Sequence, residues 1–363
     1  MPQERSAGTT RGRENEVLEW LLEPANPSVR YFALHDLLGR SEDDPEVADA
    51  RRAILGSLPV QKILARMNPD GSWGDPESPY LPKYKATYWT IMLLAELGLT
   101  REDGRARRAA ESLFRFQRPC GGFAECGEAG ARRGCAEVAA RRKAKGQQPP
   151  DEEACVADYL HQATLSCLTG NVLAAFLRMG FAVDPPLARA VDWLLEIQNQ
   201  DGGWLCPYWK AHVRDRHSCF FGTIGPLEAL SELPRDRRSP AIEKAADRAT
   251  EFLLAHRLYK ADHHDFRVID PGWLTLSFPF SYNYTVLRGL SVLRRLEIRD
   301  ERMEDALEVL REKRTEDGKW LLEGTPAGRM QTTLEKKGVP SKWVTLACLR
   351  VLGKGETLRT SFS

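Results

Sequence analysis

The chain of 363 residues has no apolar run approaching the roughly 20 residues that a membrane-spanning helix requires. Its opening residues, MPQERSAGTTRGRENE, lack the apolar core that a secretory signal carries. Charge of one sign is also missing: 52 Lys and Arg stand against 51 Asp and Glu, a formal net charge of +1. That balance argues against a general nucleic-acid binder, which shows a basic excess. Strand-like alternation of apolar and polar residues is nearly absent. So are a glycine-rich phosphate loop, a G-x-S-x-G elbow and an H-E-x-x-H helix. These absences lead to an expectation of a cytoplasmic, helical protein without a transmembrane segment or a nucleic-acid partner.

What is present suits a large core: 42% of the residues are hydrophobic and 28% charged. Seven of the eight cysteines (Cys120, Cys126, Cys135, Cys155, Cys167, Cys206 and Cys219) fall within 100 residues. In a reducing compartment such bunching suggests a metal before it suggests disulfides.

The stretch QNQDGGW contains the frame Gln198-x3-Gly202-x-Trp204. The frame recurs as Gln117-x3-Gly121-x-Phe123, as Met67-x3-Gly71-x-Trp73 and as Arg314-x3-Gly318-x-Trp320. Each follows an amphipathic segment, such as LARAVDWLLEIQ, with apolar residues at i, i+3, i+4 and i+7. The glycine supplies a left-handed turn that ends the helix, and the aromatic can fold back over the last helical turn. A more apolar helix follows each turn, as in KATYWTIMLLAELGL and SCFFGTIGPLEALSEL. SVRYFALHDLLG and SYNYTVLRGLSVLRRL add two apolar helices without a clean turn before them, making six helix pairs. Pairs of this kind bury their faces against their neighbours.

The Q-x3-G-x-W turn after an outer helix resembles the QW repeat of squalene and oxidosqualene cyclases, and the inner–outer pairing is similar to that of protein prenyltransferase β subunits. The resemblance spans residues 20–355 and implies an all-α fold, a closed α6/α6 toroid of about six helix pairs. The domain expectation is a flexible N-terminus at 1–13 and a single toroid over 14–363. The segment 124–156, rich in Gly and Arg with a Pro-Pro and three cysteines, reads as a loop insertion.

In a toroid the first turns of the inner helices are expected to point into a central cavity. These starts offer Arg30 and Tyr31; Lys85, Thr87, Tyr88 and Trp89; Cys167, Thr169 and Asn171; His217, Cys219 and Thr223; Tyr282, Asn283 and Tyr284; and Lys342, Trp343 and Thr345. Capping explains the Ser, Thr and Asn, and explains the Arg-Tyr and Lys-Trp pairs less well. Arg30, Tyr31, Lys85, Tyr88, Trp89, Asn171, Lys342 and Trp343 are therefore candidate substrate-binding residues, with Arg30, Lys85 or Lys342 meeting an anionic group. Asp270, in VIDPGWL, is a candidate acid–base group near Tyr282 and Tyr284, and these three form the candidate catalytic set.

Cys167, Cys206, His217 and Cys219 come from two adjacent inner-helix starts and the loop between them, and a Cys3His set is a common zinc site. RHSCF resembles the zinc-ligating His-Thr-Cys-Tyr segment of prenyltransferase β subunits, which implies His217 as the carried-over ligand; their Asp-x-Cys has no clear counterpart. The competing readings are that the thiols are small buried apolar residues, or that Cys126, Cys135, Cys155 and His161 hold a second zinc or an iron–sulfur centre. Four protein ligands would make zinc structural, three with an open position catalytic.

The Asp-x-Asp-Asp acid of the squalene-hopene branch has no match, since SEDD at 41–44 precedes Pro45 as a surface helix start. ADHHDF at 261–266 reads as a degenerate turn. The resemblance implies a terpene cyclase/prenyltransferase-like enzyme with a zinc-bound, aromatic-lined cavity for a small apolar or isoprenoid-like substrate. A non-catalytic toroid with structural zinc and a protein or peptide partner is the alternative. Lanthionine-forming cyclases, a third zinc toroid, use a Cys-His-Gly motif that this chain lacks.

Overall fold

A computed structural model describes residues 15–181, 185–205, 214, 216–280, 283–326 and 328–356. Cys206, Asp215, Tyr282 and the N-terminal segment 1–13 lie outside the described residues. Among the described residues the regular elements are helices, and β pairing is limited to isolated bridges. No helix among them is long and apolar enough to cross a membrane.

Six helices are rich in apolar residues, the fifth of them also carrying three arginines. They are α2 (Pro27–Phe32, continuing as a π turn at Ala33–Leu37), α5 (Thr87–Glu96), α9 (Ser166–Arg178), α11 (Phe220–Glu232), α13 (Val286–Arg295) and α15 (Lys342–Glu356). All ten residues of α5 are buried. A helix that is hydrophobic all round belongs in an interior, and these pack on one another. Helix α5 packs on α9, α9 on α11, α11 on α13, α13 on α15, and α15 on α2 and its π turn. Ser28 Oγ donates to Leu97 O at 2.7 Å, tying α2 to the end of α5. The closest of these crossings is α9 with α11, where a Cβ on Gly170 would lie 2.1 Å from Pro226 N.

The remaining helices are amphipathic. They include α1 (15–21), α3 (Pro45–Gly56), α4 (Leu58–Leu64), α6 (Gly104–Phe114), α10 (Pro185–Glu196), α12 (Pro240–Ala255) and α14 (Glu304–Glu312). Helix α6 buries Ala106, Ala109, Ala110 and Leu113, the i, i+3, i+4, i+7 stripe, and leaves its arginines toward water. Asp44 caps α3 through Glu46 N at 2.9 Å with Pro45 behind it, so SEDD is a surface helix start.

The recurring turns join each amphipathic helix to the next apolar one by a repeated set of bonds. The indoles of Trp73, Trp204 and Trp320 are fully buried and donate to Ile63 O, Leu194 O and Leu310 O at 2.9, 2.8 and 2.7 Å. The backbone N–H of the same position donates to a threonine in the first turn of the next apolar helix: Trp73 to Thr87, Phe123 to Thr169, Trp204 to Thr223 and Trp320 to Thr345. Gln117 and Gln198 donate to Gly121 O and Gly202 O, and Arg314 Nε replaces that bond on Gly318 O at 3.3 Å. The glycines are required twice over. Gly121 has φ +106°, and a Cβ there would lie 2.1 Å from Arg189 O of α10. Gly71 and Gly202 press in the same way on the backbones of α6 and α12, and Gly318 faces Val17 of α1.

The segment 124–156, expected as a loop insertion, is largely helical. Helix α7 (Glu128–Ala144) packs on α8 (Glu152–Gln162) around Ala131, Cys135, Val156 and Leu160. Alanine content and a first-turn Glu support α7 despite its two glycines, and the composition had masked that.

Candidate functional site

The cavity does not sit at the starts of α5, α9 and α11, although Arg288 and Trp343 line it from the first turns of α13 and α15. A space of about 590 Å³ lies instead against the far ends of α5, α9 and α11, and along α2, α13 and α15. A strap of chain borders it. Leu276 and Phe278 are fastened to the 323–324 segment, with Leu276 N donating to Glu323 Oε2 at 2.7 Å and Phe278 N to Gly324 O at 3.2 Å. Phe280 N then donates to Glu96 Oε2 at 3.0 Å. Phe278 and Phe280 line the large cavity, while Pro279 borders a space of only about 20 Å³ beside Trp89 and Leu93. The strap thus borders both spaces.

One wall of the cavity is aromatic. Phe278 stacks on Trp343 with centroids 4.4 Å apart and planes 7° apart. Phe280 meets Phe278 edge-on at 5.1 Å, Phe32 meets Trp343 at 6.2 Å, and Tyr31 lies 5.0 Å from Phe32. Tyr31 Oη donates to Glu42 Oε1 at 2.6 Å, and burial together with that bond raises its pKa, which keeps it a neutral donor.

The rest of the lining is largely ionic and meets the aromatic part where Arg350 lies over the Phe32 ring at 5.0 Å. Arg178, Arg288, Arg294, Arg295 and Arg350 form it, with Glu96, Glu228, Glu232 and Asp36. Glu228 is buried and ion-paired to Arg178 and Arg288, with Arg288 Nε at 3.0 Å. Desolvation alone would raise its pKa, but the surrounding arginines outweigh it and hold the carboxyl well below the usual range. Glu232 pairs with Arg178 at 2.6 Å and Arg295 at 2.9 Å, and Arg350 pairs with Asp36. Guanidinium groups near the last turns of α9 and α13 also suit the negative ends of those helices.

Of the candidate substrate-binding residues, Tyr31 and Trp343 line the cavity. Asn171 stands just behind it, its Oδ1 accepting from Arg288 Nη2 at 2.7 Å and its Nδ2 donating to Cys167 O at 2.6 Å. The others are engaged elsewhere. Arg30 donates to Leu22 O, Lys342 Nζ bonds Trp20 O and pairs with Glu23, and Lys85 is exposed. Tyr88 is buried with its hydroxyl on Ala124 O, and Trp89 donates to Tyr80 O. The threonines are occupied by the turn aromatics. Asp270 is an exposed cap on a short 3-10 turn, bonding Gly272 N at 2.7 Å. Tyr284 Oη donates to Leu258 O at 2.5 Å in a buried aromatic cluster with Phe220 and Trp273, and Tyr282 lies outside the described residues.

The proposed zinc ligands are placed as follows. Cys219 is the N-cap of α11, its Sγ accepting from Gly222 N at 3.1 Å. Cys167 is buried in the second position of α9. His217 Nδ1 donates to Ser218 O at 2.7 Å, and its ring lies 5.9 Å from that of His256. No three His, Cys, Asp or Glu among the described residues form a metal-binding group. The described donors alone therefore do not fit zinc, and Cys206 is outside them. Cys135 is pushed up to about 11 by burial and a bond to Cys155.

The cavity arginines and Phe32, Phe278 and Phe280 were not singled out from the sequence. The available signal was charge at the ends of apolar helices: AFLRMG, VLRGLSVLRRL and CLRVLG carry Arg178, Arg288, Arg294, Arg295 and Arg350.

No family model matches the chain, and no curated protein matches it. Among solved structures it is similar to the apo form of the type II terpene cyclase MstE from Scytonema, at 18% identity and a TM-score of 0.44, over 91% of this chain and 86% of that one. A variant of the same cyclase in complex with geranylgeranyl dihydroxybenzoate gives 17% identity and a TM-score of 0.44, over 93% and 98%. A protein from Actinoplanes gives 15% identity and a TM-score of 0.41, over 90% and 89%. Likeness at this level assigns no activity to the chain.

Proposed function

We propose that the chain is a terpene cyclase/prenyltransferase-like enzyme, its helices closed into an α6/α6 toroid and its reaction chamber the 590 Å³ cavity, with an apolar, isoprenoid-like substrate. Closure is supported by the turn glycines, each of which presses on the following amphipathic helix while Gly318 meets the first one at Val17. The carrying observation is the aromatic wall formed by Tyr31, Phe32, Phe278, Phe280 and Trp343. Flat π faces give an unsaturated hydrocarbon a large desolvated contact and attract positive charge developing on it.

The chain's own residues bind and orient. Trp343 and Phe278 form the floor, Tyr31 offers its ring with a hydroxyl directed to Glu42, and the strap at 277–280 borders the space. Cyclisation begun by protonation needs a neutral carboxylic acid, and Glu228, Glu232 and Asp36 are instead matched to arginines. A cytoplasmic location belongs to this reading. Zinc on Cys167, Cys206, His217 and Cys219 is a separate proposal that depends on Cys206.

The test is equilibrium uptake of a panel of radiolabelled prenyl compounds, neutral and anionic, by wild type and Trp343→Ala. Saturable uptake of at least one, lost in the variant while the fold is retained, supports the reading. Absence of uptake across the panel sinks it.

A further inference from the structure

We propose that Cys135 and Cys155 are a redox modification site, a dithiol that a peroxide or a small-molecule disulfide converts into a clasp fixing α7 to α8. The inference does not depend on the chamber reading.

The two helices form a hairpin that leaves the body of the protein and returns beside its point of departure. Ala124 and Thr164 face each other across an isolated bridge, and Glu125 N donates to Ala163 O at 3.0 Å. The hairpin has a small core of its own, Ala131, Cys135, Val156 and Leu160, with Cys126 and Cys155 packed against it. At the surface Arg132 of α7 pairs with Glu152 and Glu153 of α8 at 2.9 Å. Exposed pairs of this kind contribute little. A unit with so few buried side chains opens locally before the rest of the chain does.

Cys135 sits in the middle of α7 and Cys155 in the first turn of α8, and their side chains hydrogen-bond to each other. The sulfurs are therefore neighbours before any oxidation. A disulfide across two helices needs their Cα atoms within about 7 Å. Small residues on α7 favour that approach: a Cβ on Gly134, next to Cys135, would lie 2.5 Å from the Tyr159 ring of α8. Among the described residues Cys126, Cys135, Cys155 and His161 do not form a metal-binding group, which leaves the contact of two thiols as the chemistry of this cluster.

The pair is unequal. Cys155 is half-buried and Cys135 is 3% exposed, so a reagent in solution meets Cys155 first. Hydrogen peroxide oxidises the Cys155 thiol to a sulfenic acid and releases water. The Cys135 sulfur then attacks the Cys155 sulfur. The S–S bond forms, the S–O bond breaks, and the hydroxyl departs as water with the Cys135 proton. Two electrons pass in all from the two thiols to the peroxide. With a small disulfide, Cys155 takes up one half as a mixed disulfide and releases the other half as a thiol; Cys135 then displaces the second thiol. Redox-sensing disulfides of this transient type are the ones that reducing compartments hold.

The experiment takes the reduced full chain into hydrogen peroxide, or into glutathione buffers of rising oxidised fraction. Linked peptides are mapped by mass spectrometry, and amide hydrogen exchange is followed over 128–162. Wild type is compared with Cys126→Ser and Cys155→Ser, each checked by its melt. The expected result is a Cys135–Cys155 link in wild type and in Cys126→Ser, reversed by dithiothreitol and absent from Cys155→Ser. It forms at oxidised fractions that leave the exposed Cys120 reduced. Exchange of the hairpin amides slows by roughly tenfold or more once it has formed. The mapping of wild type needs no variant, so a variant that fails to fold leaves the test intact. No link with either oxidant, a link to Cys126 in its place, or a link appearing only after Cys120 is fully capped overturns the site. A link that leaves hairpin exchange unchanged overturns the clasp.

Discussion

Asn171 Oδ1 on α9 accepts a hydrogen bond from Arg288 Nη2 on α13 at 2.7 Å, and the same arginine is ion-paired to Glu228 of α11, so one side chain joins three apolar helices. A buried pair of this kind contributes little net stability over an apolar replacement, but breaking it on one side is costly. Here it also shapes the ionic part of the cavity lining.

Glu228→Gln therefore leaves Arg288 and Arg178 without their shared carboxylate, and should lower the unfolding free energy by about 3–5 kcal/mol in urea titrations at neutral pH. The double variant Glu228→Gln with Arg288→Met should recover part of the loss.

The same carboxylate makes stability depend on pH. Its folded pKa lies below its unfolded one, so below the ordinary glutamate value the unfolded chain binds the extra proton first. The stability it contributes is complete above about pH 4.5 and is lost as pH falls below that. Melts from pH 6 to pH 3 should show a decline that is shallower in Glu228→Gln; parallel curves would contradict this origin.

Gly121 and Gly328 separate two causes of glycine dependence. Both have positive φ, but a Cβ on Gly328 would touch nothing within 4 Å, whereas on Gly121 it meets Arg189 O. Gly328→Ala should cost about 1–2 kcal/mol through the backbone alone. Gly121→Ala should cost clearly more, because the turn and α10 must also move apart, and denaturant midpoints measure the difference.

Thr345→Val keeps the shape of the residue but leaves the buried Trp320 N–H without its acceptor, at about 1–3 kcal/mol. Thr223→Val should behave in the same way through Trp204, whereas half-buried Thr315 serves no aromatic and bonds Asp317 and Lys319 instead. Thermal melts of the three substitutions to Val rank them.

Zinc is decided by elemental analysis of the wild type and Cys206→Ala. Near-stoichiometric zinc that disappears in the variant is the expected outcome if Cys206 completes the set with Cys167, His217 and Cys219. Metal-free wild type removes the proposal.

The sequence by itself determined the local devices. Apolar and amphipathic helices were legible from their periodicity, and the turns from a positive-φ glycine and a following aromatic, because both depend on residues within a few positions of one another. Arg314 in place of a glutamine was legible as a departure, and its bond to Gly318 O shows the turn tolerating it. Helix α7 was missed because its glycines and charges resemble those of a loop.

Tertiary structure alone decided the site. The starts of the apolar helices carried the conspicuous polar residues, yet Thr87, Thr169, Thr223 and Thr345 serve the turns, and Lys342 and Arg30 bond the N-terminal region. The open space lies against the other ends of α5, α9 and α11, and the strap through Phe278 and Phe280, fastened to Glu323 and Gly324, borders it. Arg178, Glu228, Arg288 and Arg350 are separated by 50 residues or more along the chain and meet only when their helices pack, so no local pattern could announce them.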